Sequence, residues 1–153
     1  MSFIITMPAK IFLPLLRELS ATYQSFTAYS AVHIRTLDLT PPQFDIIATL
    51  GNTAGMSFKE LGDKTLITKG TLTGVVDRLV IKGLVQRVAC LTDGRSQIVQ
   101  LTETGNTLFQ SCFPAHLQHI EHALSDLSPA DMQTLRDGLR VLRTAFATAA
   151  SES

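Results

Sequence analysis

Between Thr68 and Lys82 the chain concentrates side chains suited to reading a polyanion: Lys69, Thr71, Thr73 and Arg78, interleaved with Gly70 and Gly74. Ammonium and guanidinium groups bind phosphates and guanine. Threonine hydroxyls, including that of Thr68, bond to bases or phosphates, and threonine methyls pack on thymine. The apolar residues of the same stretch, Leu72, Val75, Val76 and Leu79, fall at i, i+3, i+4 and i+7, which buries one face of a helix and leaves the polar set outward. A further cation, Arg95, follows the turn pair Asp93-Gly94, where a long side chain at a loop tip can enter a narrow minor groove.

Other residues with chemistry form weaker patterns. His116, His119 and His122 recur at three-residue steps beside Glu121. They read either as two imidazoles sharing a metal with a third ligand or as a partly solvated histidine face. The second reading is preferred, because the spacing lacks i, i+4 and no cysteine or carboxylate cluster joins it. Cys90 lies near Arg87 and Arg95, which would lower its pKa, and Cys112 precedes Pro114; each is either a redox-sensitive thiol or small apolar filler. Tyr23, Phe26, Ser30 and His33 share one stripe, with Phe44 and Phe113 able to face it. That set is either core or the wall of a pocket for a phenolic or aromatic carboxylate effector. No Ser/His/Asp set, phosphate loop or dinucleotide fingerprint appears, so an enzyme is not expected, nor is a cofactor.

The elements that must position these groups are legible from period and caps. Ile11 to Leu37 contains no glycine and repeats apolar residues at steps of three and four, predicting one helix close to 40 Å long, too long to be covered without other long helices or a second subunit. Thr40-Pro41-Pro42-Gln43 and Ser57-Phe58-Lys59-Glu60 are capping boxes that open two helices, the first ending at Leu50 before Gly51. Thr68 is read as a third cap. After Gly83 the period changes to two, predicting strands Leu84 to Val88 and Gln97 to Leu101 around a turn at Asp93-Gly94. Thr102 opens a long helix that continues to about Leu127 and that Pro114 should bend. Ser128 caps a last helix in which Met132, Leu135, Leu139, Leu142 and Phe146 follow at spacings 3, 4, 3 and 4, an a/d seam for a partner; the tail from Thr148 is expected to fray.

The fold class that follows is mainly α with a small β-hairpin wing: a winged helix-turn-helix, residues 40–101, set in a helical dimerisation frame formed by residues 8–37 and 102–148 of a single domain 1–153. In such a fold the second helix of the pair enters the major groove. Composition agrees without deciding. The 153 residues carry 13 basic and 13 acidic side chains, which argues against a protein that coats nucleic acid nonspecifically. The segment Met56 to Gly105 nets +2, from seven basic and five acidic residues. That bias is small, and a winged-helix module that binds protein and has little DNA affinity stands as the alternative. Two cysteines exclude a disulfide framework and fit a reducing compartment. No apolar run reaches the roughly 20 residues of a membrane helix. The N-terminal Met-Ser-Phe-Ile-Ile-Thr-Met-Pro lacks a signal peptide's basic cluster and cleavage site.

Several spaced motifs then converge. Leu39-Thr40-Pro41-Pro42-Gln43-Phe44, Met56 to Lys64, Val75-Val76-Asp77-Arg78-Leu79, Lys82-Gly83-Leu84-Val85, Asp93-Gly94-Arg95-Ser96 and Leu101-Thr102-Glu103-Thr104-Gly105 stand in the order and spacing of the MarR family of bacterial transcriptional regulators, which residues 39 to 105 resemble. The resemblance implies a cytoplasmic homodimer whose two recognition helices read a pseudo-palindromic operator in double-stranded DNA, with wings in the flanking minor grooves. It implies a repressor relieved by a small molecule bound between the dimer frame and each winged helix. It also implies that Asp93 braces the wing that carries Arg95. The chain departs from the family pattern at Ala89-Cys90-Leu91-Thr92, where many relatives are charged, and at Gly74, often arginine. Both departures remove phosphate contacts.

Overall fold

The computed structural model describes residues 10–152. Residues 8 and 9 of the expected frame, the N-terminal stretch read for a signal peptide, and residue 153 lie outside the described residues. The elements run α1 (Phe12–Thr36), α2 (Pro41–Leu50), β1 (Met56–Ser57), α3 (Phe58–Lys64), α4 (Lys69–Ile81), β2 (Val85–Ala89), β3 (Gln97–Leu101), α5 (Glu103–Ala123) and α6 (Pro129–Ser151). None of these helices is long and apolar enough to cross a membrane. The chain divides into two compact units, with the boundary after His116, inside α5.

In the first unit, local signals set the helix starts. Thr40 Oγ1 accepts from the Gln43 amide at 3.3 Å while Gln43 Oε1 accepts from the Thr40 amide at 3.1 Å, and Pro41 sits where a helix has no use for an N–H donor. Ser57 and Glu60 repeat the reciprocal pair at 3.2 and 2.9 Å. Thr68 does stand at the N-cap of α4, but its side chain makes no cap bond. Its hydroxyl bonds instead to that of Thr71, at 3.2 Å. The core gathers the inward faces of these helices: Ile46, Ile47 and Leu50 from α2, Leu61 from α3, and Leu72, Val75, Val76 and Leu79 from α4, closed by Val85 and Val99 of the sheet.

The sheet has one strand more than the hairpin predicted. Its order is β1-β3-β2, all antiparallel, with Met56 opposite Val99 and Val85 opposite Leu101. Two residues cannot display a period-two pattern, so β1 leaves no strand signature of its own. Gly55 makes the pairing feasible. It has φ +106°, and a Cβ there would lie 2.6 Å from Ile98 Cγ2 and 2.8 Å from the Val99 carbonyl oxygen. The first hairpin strand begins at Val85 rather than Leu84 and extends to Ala89.

α5 passes through Pro114 without a break and ends at Ala123, short of the expected Leu127, where i→i+3 turns take over at Leu124 and Leu127. The second unit contains the end of α5 and α6. Ser128 caps α6 reciprocally with Asp131. α6 remains helical to Ser151, past the predicted fraying point at Thr148, because alanines dominate its last turns and have the highest helix propensity. No residue of α6 is buried: Met132, Leu135, Leu139 and Phe146 are exposed and Leu142 is partly so.

Candidate nucleic-acid interface and adjoining cavity

α4 rests on Leu72, Val75, Val76 and Leu79 and turns Lys69, Gly70, Thr71, Thr73, Gly74 and Arg78 to solvent. A Cβ added at Gly70 or Gly74 would meet nothing within 4 Å. Two interior glycines, each costing about 1 kcal/mol relative to alanine, therefore receive no return from packing inside this chain. They leave the outer face of the helix with exposed backbone between a lysine, two threonines and an arginine.

The wing is organised by one carboxylate. Asp93 Oδ1 accepts from the Arg95 amide at 3.0 Å, its Oδ2 accepts from the Ser96 hydroxyl at 2.9 Å, and its carbonyl accepts from the Ser96 amide at 3.0 Å. The Arg95 amide and the Ser96 hydroxyl hold the Asp93 carboxyl below the ordinary carboxylate value. The bracing expected of Asp93 thus acts on the backbone beneath Arg95, leaving the guanidinium exposed. Leu91 is fully exposed on the same loop. The Cys90 thiol is held below its ordinary value by the Thr92 hydroxyl, 3.2 Å away, and by the Thr92 and Asp93 amides. The arginines proposed to do this do not, and Arg87 is engaged by Asp77.

Three side-chain contacts fix α4 against its surroundings. Before its N-terminus, Asp45 Oδ2 on α2 accepts from the Leu66 amide in the α3–α4 turn, at 3.3 Å. At its middle, Asp77 pairs with Arg87 of β2. At its C-terminus, Lys82 Nζ donates to the Asp38 carbonyl, and to Gln43 Oε1 at 3.4 Å, joining the capping box of α2.

Beside the α3–α4 turn lies a cavity of about 390 Å³. Tyr23, Phe26, Ser30 and Phe44, four of the six residues expected to wall an effector pocket, do line it. His33 and Phe113 do not. Phe113 stacks on Phe109 with centroids 5.1 Å apart, and His33 is joined to the lining residue His116 by a 3.0 Å Nδ1–Nδ1 contact. The polar lining comes from Thr27, Ser30, Asp45, Lys64 and His116. His116 is buried, bonds Ser30 Oγ through Nε2 at 3.1 Å and packs its ring 4.5 Å from that of Phe44. It is therefore no member of a solvated histidine face. Among the described residues no group of three or more His, Cys, Asp or Glu is placed to hold a metal ion. Burial pushes the Asp45 carboxyl up, against the opposing effects of the Leu66 amide and the Thr49 side chain. Asp45 and Lys64 were missed as lining residues because a single polar residue on an amphipathic helix carries no signal of what will fold over it.

Comparison with known proteins places this geometry. The model of the MarR family matches residues 37–96. The chain is 33% identical over 122 residues to the HTH-type transcriptional regulator MhqR of Bacillus subtilis, covering 80% of this chain and 84% of that one. Among solved structures it resembles a mutant of Escherichia coli MarR complexed with operator DNA, at 25% identity and TM-score 0.77 over 88% of this chain and 99% of that one. It resembles equally Bordetella bronchiseptica BpsR, whose DNA binding is regulated by 6-hydroxynicotinic acid, at 25% identity and TM-score 0.77 over 89% and 97%. With its winged helix-turn-helix, its braced wing and this level of identity over most of its length, the chain belongs to the MarR family of transcriptional regulators.

Proposed function

We propose that the protein is a sequence-specific DNA-binding repressor that acts as a homodimer on a pseudo-palindromic operator and is relieved by a small aromatic ligand. The observation that carries this reading is the pairing of a solvent-facing α4, bearing Thr68, Lys69, Thr71, Thr73 and Arg78, with a wing whose Arg95 backbone is held by Asp93. Phosphate contacts from the lysine and arginines would position the dimer, and the threonines would read base edges. The glycines would let the helix backbone approach the groove closely.

The dimer is supported by α6, whose seam of Met132, Leu135, Leu139, Leu142 and Phe146 is not buried by the chain itself. The exposed Ile11, Phe12 and Leu15 at the start of α1 support it too. Residues 8–37 and 102–148 are accordingly assigned to dimerisation and residues 40–101 to DNA binding, within one domain. The effector site is assigned to the cavity, where a ring held among Tyr23, Phe26 and Phe44 would find a cation in Lys64 and hydrogen-bonding groups in Ser30, Asp45 and His116. Action in the cytoplasm, without enzymatic activity or a cofactor, completes the assignment.

Selection of duplexes by the purified protein from a randomised pool tests it. The expected result is enrichment of inverted half-sites about one helical turn apart. Absence of any enriched duplex would transfer the assignment to a protein-binding winged helix, the reading that the fully exposed Leu91 favours.

A further inference from the structure

The cavity and the recognition helix share a piece of chain. Leu66 and Ile67, which line the cavity, immediately precede Thr68, the N-cap of α4. Leu66 is 79% exposed and has little packing of its own to hold it. The bond from its amide to Asp45 Oδ2, 3.3 Å long and spanning 21 residues of sequence, ties this turn to α2. The Thr68 side chain adds no cap bond that would fix the helix start independently. Asp45 itself lines the cavity, so the group that anchors the turn is also a group that a bound molecule would touch.

We propose that Asp45 is the positioning residue through which occupancy of the cavity reaches the DNA-reading helix: its carboxylate holds the α3–α4 turn by way of Leu66, and a ligand hydroxyl or N–H that donates to that carboxylate releases the turn. This inference rests on reading the cavity as the effector site. The partial burial of Asp45 sharpens the competition, because a half-buried carboxylate that gives up one donor gains by accepting another. A shift of the turn acts on Thr68 to Thr71, the end of α4 that carries the first groove-facing side chains, while the Lys82 contacts keep the other end in place. The movement is therefore a tilt of α4 about its C-terminus, which alters operator contacts without unfolding the helix.

The test needs no knowledge of the natural effector. In a Cys90→Ser background, Ala48→Cys places a thiol on the cavity wall, and benzylation with 3-hydroxybenzyl methanethiosulfonate then installs there an aromatic ring whose hydroxyl can donate to Asp45; Cys112 is buried and protected. Amide exchange over residues 66–70 and affinity for a duplex selected by the wild-type protein are measured with Asp45, Asp45→Ala and Asp45→Asn. Benzylation of the Asp45 protein is expected to speed exchange and weaken DNA binding about tenfold, the size of losing one hydrogen bond to a charged group. Asp45→Ala alone should show the same two changes, and benzylation should add less than about twofold to it. Asp45→Asn keeps an acceptor and should keep the slow exchange. Equal effects of benzylation in the Asp45 and Asp45→Ala proteins, or unchanged exchange in Asp45→Ala, would overturn the proposal. If the wild-type protein selects no duplex, the DNA-binding reading fails, and the exchange measurements still decide whether Asp45 tethers the turn.

Discussion

Asp77, in the second half of α4, and Arg87, at the centre of β2, form an ion pair that also seats the guanidinium 5.4 Å from the ring centroid of Phe58 on α3. One arginine thereby ties α4, the first wing strand and the start of α3 together, so that helix and wing present a fixed spacing. Both partners are partly exposed, so the pair and the ring contact together are worth only about 1 kcal/mol. Arg87→Met should lower the melting temperature by about 2–4 °C for a chain of this size. It should weaken operator binding while leaving the slope of log K against log salt unchanged. A slope reduced in proportion would place Arg87 on a phosphate instead.

What could be read from sequence, and what could not, divides along the range of the interaction. The reciprocal caps at Thr40 and Gln43, Ser57 and Glu60, and Ser128 and Asp131 are three-residue events, written in the residues that make them. The buried stripe of α4 follows from its own periodicity, and with it the outward set from Lys69 to Arg78. The Asp93 brace spans three residues and was likewise legible, through the family resemblance. The cavity was only half legible. Its α1 wall of Tyr23, Phe26 and Ser30 lies on the stripe the sequence shows, but its polar floor joins Ser30 to His116 across 86 positions. No local pattern marks such a pair. The cause of the Cys90 shift was misread for the same reason, since sequence proximity put Arg87 beside it while folding gave Arg87 to Asp77.

Asp45 makes stability depend on pH with a determinable sign. Its folded pKa lies above the ordinary carboxylate value of 3.8 because burial penalises the charged form. The folded protein then binds this proton more tightly than the unfolded chain, so stability falls as pH rises through that window, and the penalty is fully present above the folded pKa. Asp45→Asn removes the penalty and keeps an acceptor for the Leu66 amide. It should melt higher than wild type at neutral pH, with the advantage fading as the pH is lowered through the folded pKa toward 3.8. A gain of the same size at every pH would mean that it does not arise from ionisation.

Leu139 lies in the middle of the α6 seam and is 58% exposed in the single chain. Covered by a second copy, it would leave an introduced carboxylate buried and unpaired, so Leu139→Asp should weaken the dimer by several kcal/mol, on the order of 3. Sedimentation should then show monomer or unfolded chain. A variant that sediments as a dimer identical to wild type would remove Leu139 from the interface.

Gly74 separates folding from recognition. Its added Cβ would meet no atom of the protein within 4 Å, so Gly74→Ala should stabilise the free protein by up to about 1 kcal/mol per subunit through helix propensity alone. If α4 lies with its backbone against the groove, the same methyl intrudes on the DNA, and operator affinity should fall as stability rises. Thermal unfolding and duplex titration of one preparation give both numbers. A stabilised variant with undiminished affinity would show that this face stands clear of the operator.

The wing offers the sharpest contrast, because Asp93 and Arg95 are bonded to one another through backbone and yet have different parts to play. Arg95→Ala removes a cation from each subunit of the dimer, and should both weaken operator binding and flatten the salt dependence by about one to two units per dimer. Asp93→Ala removes the acceptor for the Arg95 amide and the Ser96 hydroxyl but leaves the guanidinium in place. The freed loop must then lose conformational entropy on docking that the braced loop has already lost in folding, about 1–2 kcal/mol for a backbone residue. Affinity should fall by roughly tenfold with the salt slope near wild type. The brace should also fail in acid: the Asp93 carboxyl is held below its ordinary value, so its hold on the loop is present above the ordinary carboxylate range and is lost as pH falls through the depressed folded value. At any pH used for DNA binding the brace is intact, and the difference between the two variants should not change with pH from mild acid to neutral. Titrations across salt for both proteins separate charge from order, and a slope unaltered in Arg95→Ala would mean that the wing does not reach the duplex.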